Sequence, residues 1–284
     1  MHRFLEKKFI GSFMMVSTAV FFSAMALFVR LASETIPVGM IIFTRFTVST
    51  AFIVVLYAAG TIRIRPVNHR LLIARALAAS IGGVFYFFAV STITIAEAVI
   101  LKYTYPLFAV TFAAVLFGEK TDRTVLGLLS LSIAGVVIMM NPASFNPQAG
   151  YVWGLLNGLF AGGAVAFVRK LRDTDNAGTI MFATSLMGVI VSLPFLAGGM
   201  MVPEGIELAW LGLASGCGLL AQFSLVYGIR YIKTGSACII MMLEVVLSSA
   251  LGFIVLGHTM GLIKIIGGII VLAGGFVLIR REGK

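Results

Sequence analysis

The sequence predicts an all-α integral membrane protein: ten transmembrane helices in two inverted five-helix repeats. Three observations carry this prediction. First, 60% of the 284 residues are hydrophobic and only 11% are charged, with a mean hydropathy of +1.07; a soluble domain carries roughly a quarter charged residues. Second, the apolar residues fall into successive runs near the length of about 20 residues that crosses a bilayer as a helix. Third, the two halves of the chain align on each other.

The runs lie at about 9–31, 38–59, 70–91, 95–117, 124–140, 150–169, 177–198, 206–229, 235–256 and 261–280. The first is too long for a signal-peptide core and has no small-residue cleavage site, so it is expected to be retained. Basic residues orient the set. They lie at the N-terminus (Arg3, Lys7, Lys8), in the even-numbered connections (Arg63, Arg65 and Arg70; Lys120 and Arg123; Arg169, Lys170 and Arg172; Arg230 and Lys233) and at the C-terminus (Arg280, Arg281, Lys284). The odd-numbered connections carry almost none, with Arg30 at the edge of the first. Both termini are therefore expected on the cytoplasmic side of a bacterial inner membrane. Trp153 and Trp210 then fall near the outer interface, where indole rings tend to sit. The net charge of +10 is explained by this orientation and is not taken as a sign of nucleic-acid binding.

The stretch 141–149, within "NPASFNPQAG", is the expected linker on the outer, periplasmic side between a first unit (1–140) and a second (150–284). A shift of 139 positions places Gly11, Phe21, Phe28, Val29 and Arg30 on Gly150, Phe160, Phe167, Val168 and Arg169. The same shift puts Phe43 on Phe182, Ala98 on Ala237 and Gly118 on Gly257; after one extra residue, Gly127 meets Gly267. Each unit has an odd number of spans, so the second inserts upside down. Inverted repeats of this kind imply a transporter with its site near mid-membrane, where the units meet.

Polar residues inside the spans locate that site. In span four, Ala98, Lys102, Tyr105 and Ala109 share one helical face. Their equivalents in span nine are Ala237, Met241, Glu244 and Ser248. At about 1.5 Å per residue, Lys102 and Arg45 lie roughly 10 Å from the outer side and Glu244 roughly 14 Å from the inner side. A charge at such depth costs at least about 2.5–3.5 kcal/mol on insertion scales, so it persists only when paired or facing water. Lys102 and Glu244 are the expected pair, and either line the substrate path or pair structurally. Arg45 either holds substrate or anchors the fold. Pro106 removes one backbone hydrogen bond, freeing the carbonyl of Lys102, and is expected to bend or loosen a gate. Tyr86, Tyr103, Asn157 and Gln222 are further candidates for substrate hydrogen bonds, with helix packing as the alternative for each. Glu97 reads as interfacial or capping, and Arg75 and Lys264 as snorkelling cations. Gly154, Gly158 and Gly162 form a four-residue ladder suited to close helix contact.

The segment "AEAVILKYTYPLFAVTFAAVLFGEKTDRTVLGLLSLSIAGVVIM" (96–139), with its small-acidic-small opening, Pro106, Gly118–Glu119 and Gly127, resembles the drug/metabolite transporter superfamily, specifically its EamA-like members. "FTRF" (43–46) resembles another element of that family, and the resemblance covers essentially the whole chain. The second unit departs from the pattern: Val245 stands at the Pro position, His258 follows Gly257, and Glu244 stands where the first unit has Tyr105. The resemblance implies a secondary transporter of small organic molecules. The "KYTYPLF" stretch is similar to members that move S-adenosylmethionine or riboflavin.

The expected function is therefore alternating-access transport of a small polar metabolite, such as an amino acid, a carboxylate or a cofactor-type molecule. Glu244 is the proton-coupling candidate. A facilitative channel or an exchanger without ion coupling, and a membrane-embedded enzyme acting on lipid, are the alternatives. Two cations around one carboxylate favour substrates bearing a carboxylate or phosphate, and a zwitterion fits as well. No catalytic residue, cofactor or metal is expected: His2, His69 and His258 are far apart, and Cys217 and Cys238 lie inside apolar runs. The expected partners are a small-molecule substrate and membrane lipid, not nucleic acid, with the protein a monomer or a homodimer.

Overall fold

The structure, a computed structural model, describes residues 2–118, 123–140, 148–171, 174–199, 201–228, 231 and 240–282. Most of the expected linker, together with Glu119, Ala237 and Cys238, lies outside the described residues. Among the described residues there are eleven α-helices and no strand. They are α1 (His2–Ala32), α2 (Val38–Ala58), α3 (His69–Thr92), α4 (Ile95–Lys102), α5 (Tyr105–Phe117), α6 (Arg123–Met140), α7 (Ala149–Leu171), α8 (Ala177–Ser192), α9 (Ile206–Gly228), α10 (Leu243–Leu256) and α11 (Leu262–Glu282); a 3₁₀ turn, Leu193–Gly198, extends α8. Seven stretches are long and apolar enough to cross a membrane, and Leu243–Leu256 and Leu262–Gly274 are shorter apolar helices. Large side chains such as Phe9, Val115, Phe253, Ile254 and Leu262 are exposed, as the lipid-facing surface of such a bundle requires.

Helix starts follow local chemistry. Asn68 accepts from the Leu71 N–H to open α3, and Asn176 accepts from the Thr179 N–H to open α8. Thr94 and Glu97 form a reciprocal capping box at the start of α4. Gly118 and Gly257 end α5 and α10 in the left-handed region, at φ 68° and φ 65°, a conformation that favours glycine. These two glycines occupy equivalent positions in the two units, so the copies end the same helix in the same way.

The helix packing obeys a two-fold relation between the units. Span one (α1) packs on span eight (α9), and the equivalent spans six (α7) and three (α3) pack on each other. Spans two and seven (α2 and α8), spans five and ten (α6 and α11) and spans four and nine (α4 and α10) each meet their own counterpart. The chain is a two-repeat helical membrane fold.

Span four departs from the expectation of one bent helix. It is two helices, α4 and α5, separated by Tyr103 and Thr104. Tightened bonds close α4: the Tyr103 N–H reaches the Ile100 carbonyl at 3.0 Å and the Thr104 N–H the Leu101 carbonyl at 3.1 Å. Pro106 lies in the first turn of α5, where a missing N–H breaks no helical bond. Span nine is interrupted too: helical residues 240–241 give way to a turn at Met242 before α10 begins. Val245 stands at the Pro position there, so the break belongs to the repeat and does not depend on the ring.

The glycine ladder of α7 packs on the break in span four. A Cβ at Gly154 would come 2.9 Å from Leu101 Cβ, and one at Gly158 3.1 Å from the Leu101 carbonyl. A Cβ at Gly162 would come 2.8 Å from both the Ala109 nitrogen and the Tyr105 carbonyl. At Gly158 and Gly162 glycine is required because backbone, which cannot swing aside, fills the space; at Gly154 the Leu101 side chain fills it.

Candidate functional site

The two interrupted spans bring Lys102 and Glu244 together. Lys102 Nζ lies 2.8 Å from each oxygen of the Glu244 carboxylate. The glutamate is fully buried, while the lysine side chain keeps 16% of its surface exposed. Tyr103, on the break, points its hydroxyl at Glu244 Oε2, 3.1 Å away, and at the Met241 carbonyl. With one proton to donate, that hydroxyl joins the two breaks to each other. Ser23 on α1 donates to the Glu244 carbonyl at 3.2 Å and accepts from Ser248 at 3.1 Å.

Aromatic faces surround the ammonium. Lys102 Nζ is 4.4 Å from the centroid of Phe22, 5.3 Å from that of Tyr86 and 5.7 Å from that of Tyr103. These rings come from α1, α3 and the break, so three elements of the first unit wrap a charge whose counter-ion belongs to the second.

Arg45 of α2 is buried, 8% exposed. Its guanidinium carbon is 5.0 Å from the Phe46 centroid and 5.6 Å from the Phe87 centroid. Gly218 of α9 makes room for it: a Cβ there would approach Arg45 Nε at 2.9 Å. Among the described residues Arg45 has no ion-pair partner, and its Nε has no hydrogen-bond partner. The buried Tyr86 hydroxyl is also without one, and Tyr86 lies within electrostatic reach of both Arg45 and Glu244. An unsatisfied buried donor costs about 1–3 kcal/mol. Arg45 Nε and the Tyr86 hydroxyl are two such donors.

The other expected site residues have contacts of their own. The Asn157 amide donates to the Gly82 carbonyl at 2.8 Å, joining α7 to α3. Gln222 is half-buried on α9. The Tyr105 ring packs 6.0 Å from that of Tyr103.

A second buried ion pair joins the units at the end expected to face outward. Glu97, 1% exposed, lies 2.9 Å from Lys264 Nζ of α11 and accepts from the Tyr151 hydroxyl of α7 at 2.7 Å. The capping reading of Glu97 agrees with this geometry, but Lys264 is not a snorkelling cation: it caps a buried carboxylate. Arg75 likewise donates to the Thr184 hydroxyl on α8. Close by, Arg30 donates to the Val90 carbonyl at 3.4 Å and to that of Ser91. Burial and the neighbouring Arg30 push the imidazole of His258, in the α10–α11 connection, below its ordinary range.

At the opposite end, Asp175 clasps the units. It is buried and accepts from the Val67 N–H at 2.9 Å, the Asn68 N–H at 3.2 Å and the Thr174 hydroxyl at 2.7 Å. Burial raises its pKa, but these bonds outweigh that and hold the carboxyl below the usual range. Asp175 is a carboxylate in a polar connection, where it carries no contrast in the sequence. Glu97 and Lys264 each sit one turn inside an outer span end, the position they share in the sequence.

The model of the EamA-like transporter family matches residues 9–141 and again 148–280. The chain belongs to the EamA-like transporter family. It is 27% identical over 276 residues to the "Pseudopaline exporter CntI" of Pseudomonas aeruginosa, covering 96% of each chain. It is also similar to an "S-adenosylmethionine uptake transporter" of Rickettsia bellii, 22% identical over 81% of this chain and 79% of the relative. A solved crystal structure of 20% identity shares the fold, with a TM-score of 0.57 over 94% of this chain and 99% of that one. This EamA-like chain is accordingly a multi-pass membrane transporter of a small molecule, not an enzyme.

Proposed function

We propose that the protein is a secondary transporter that moves a small polar organic metabolite across a bacterial cytoplasmic membrane by alternating access. Both termini lie inside the cell, and the units 1–140 and 150–284 move about the site between them. Substrate binds among Arg45, Tyr86, Lys102, Tyr103 and Glu244, and its carboxylate or phosphate is anchored on Arg45. One observation carries this reading: Arg45 is buried with ring faces as its neighbours and its Nε unsatisfied, within electrostatic reach of Tyr86, whose ring faces Lys102. A guanidinium presents a planar fork of donors matched to such anions. The Tyr86 hydroxyl supplies a further donor.

The clasps at the two ends, Glu97–Lys264–Tyr151 and Asp175 on Val67 and Asn68, join the units on opposite sides of this site. That placement supports gates that open in turn. The relatives named for pseudopaline and for S-adenosylmethionine support an organic, polar cargo. Glu244 is the proton-coupling group, released from Lys102 in part of the cycle.

The experiment is a thermal-shift screen of purified protein against amino acids, carboxylates, nucleosides and vitamins, followed by transport of the hits in proteoliposomes. Ligands that bind the native form raise the melting temperature. An Arg45→Gln protein that folds but no longer responds to the hits is the expected result. An undiminished response in that variant contradicts the assignment.

A further inference from the structure

The surroundings of Lys102 exceed what a structural ion pair needs. Glu244 alone neutralises it, yet the rings of Phe22, Tyr86 and Tyr103 also turn towards its ammonium at 4.4, 5.3 and 5.7 Å. A carboxylate backed by several ring faces is the chemistry that recognises organic cations such as quaternary ammonium groups. Here a side chain of the protein fills that position.

We infer that Lys102 is a resident stand-in for the cationic end of a zwitterionic substrate, which displaces its ammonium from the Phe22–Tyr86–Tyr103–Glu244 cage. This rests on the proposed function above and names the substrate class for the same site. The geometry has three parts. The cage is formed by side chains of α1, α3, the break in span four and α10, so it exists only where the two units meet. The lysine keeps 16% of its side-chain surface exposed, against none for Glu244, so of the two side chains the lysine is the less enclosed. Arg45, within electrostatic reach of the cage residue Tyr86, lacks an anionic partner among the described residues.

The charges balance through the exchange. At rest, Glu244 faces Lys102 and Arg45 faces no anion. On loading, the substrate cation takes Glu244 and the three rings, and its carboxylate takes Arg45 together with the released Lys102. The net charge of the site is unchanged because the zwitterion adds none. No charge is left buried without a partner, the condition for ions at this depth. A purely anionic substrate adds a negative charge and leaves the cage with Lys102; a purely cationic one must expel Lys102 with no anion to receive it. The site thus selects for molecules carrying both.

Three probes separate the parts: tetramethylammonium for the cage, acetate for Arg45, and glycine betaine for both together. In the unmodified protein, glycine betaine is expected to raise the melting temperature more than the other two combined. Lys102→Met vacates the cage, and tetramethylammonium is then expected to bind about tenfold tighter or more, a ratio equivalent to about 1.4 kcal/mol. Adding Phe22→Leu, which keeps the side chain apolar and removes a π face, is expected to reverse most of that gain. Should Lys102→Met not yield folded protein, Lys102→Gln, which removes the resident charge but can still donate to Glu244, is tested in its place. Tetramethylammonium binding that is unchanged or weaker in both Lys102 variants overturns the inference. If Arg45→Gln still loses the acetate response, the proposed function survives that outcome. If Arg45→Gln leaves acetate and glycine betaine responses intact, the underlying reading falls.

Discussion

Removing either half of the central ion pair should not be equivalent, and the inequality can be worked out from the structure. Lys102→Met strands the carboxylate of Glu244, which has no exposed surface and keeps only the shared proton of Tyr103. Breaking a buried pair by deleting one partner costs about 3–5 kcal/mol. Glu244→Gln is milder, because Lys102 retains 16% exposure and three ring faces and the amide can still accept from it. The cost expected there is that of a weakened hydrogen bond, about 1–2 kcal/mol. The double variant Lys102→Met/Glu244→Gln buries no charge and should cost less than Lys102→Met alone, giving a coupling energy of at least about 1 kcal/mol. At about 2–4 °C per kcal/mol, Lys102→Met should lower the melting temperature by roughly 6–20 °C. The assay is thermal unfolding of the four proteins in one detergent at one pH. Equal losses in the two single variants, or losses that simply add in the double, would refute the reasoning.

Three further outcomes are expected. Gly162→Ala drives a methyl group into the Ala109 and Tyr105 backbone at 2.8 Å, whereas Gly163→Ala meets only the Phe112 ring at 3.6 Å; the first should lose about 1–3 kcal/mol of stability and the second almost none. Gly218→Val crowds Arg45 Nε, which already lies 2.9 Å from a Cβ position, so ligand affinity should fall about tenfold while the site's charge is unchanged. The lowered pKa of Asp175 means that its contribution is present above the unfolded value, near 3.8, and is lost as the pH falls through the folded one; Asp175→Asn should flatten the fall in melting temperature below about pH 4.

What the sequence revealed follows from contrast against an apolar background. An ammonium and a carboxylate inside runs of Val, Leu and Ile must find each other, so Lys102 and Glu244 could be paired from depth and periodicity alone. The glycine ladder of α7 was equally visible, because three glycines at four-residue spacing leave a smooth stripe. The break in span nine was hidden: Pro106 marks its counterpart, whereas Val245 carries no such signal. Phe22 was hidden for the opposite reason, since one more aromatic ring in an apolar helix stands out from nothing. The Glu97–Lys264 contact joins span four to span ten, and only the three-dimensional arrangement of the units brings those span ends together. Asn157, a polar residue in a span that stands out as a candidate ligand contact, uses its amide N–H on the Gly82 carbonyl and leaves its buried Oδ1 without a hydrogen-bond partner.

The most direct test of a substrate site at the junction of the two units uses a single thiol. Ser248→Cys, in a background with Cys217 and Cys238 replaced by alanine, puts a sulfur on the face of α10 that carries Glu244, at a position with no exposed surface in this structure. Membrane-impermeant maleimide added from the outside, and separately from the inside, should alkylate it in both cases, and a ligand found by thermal shift should protect it. Labelling from neither side, or labelling that the ligand leaves unchanged, would contradict the account.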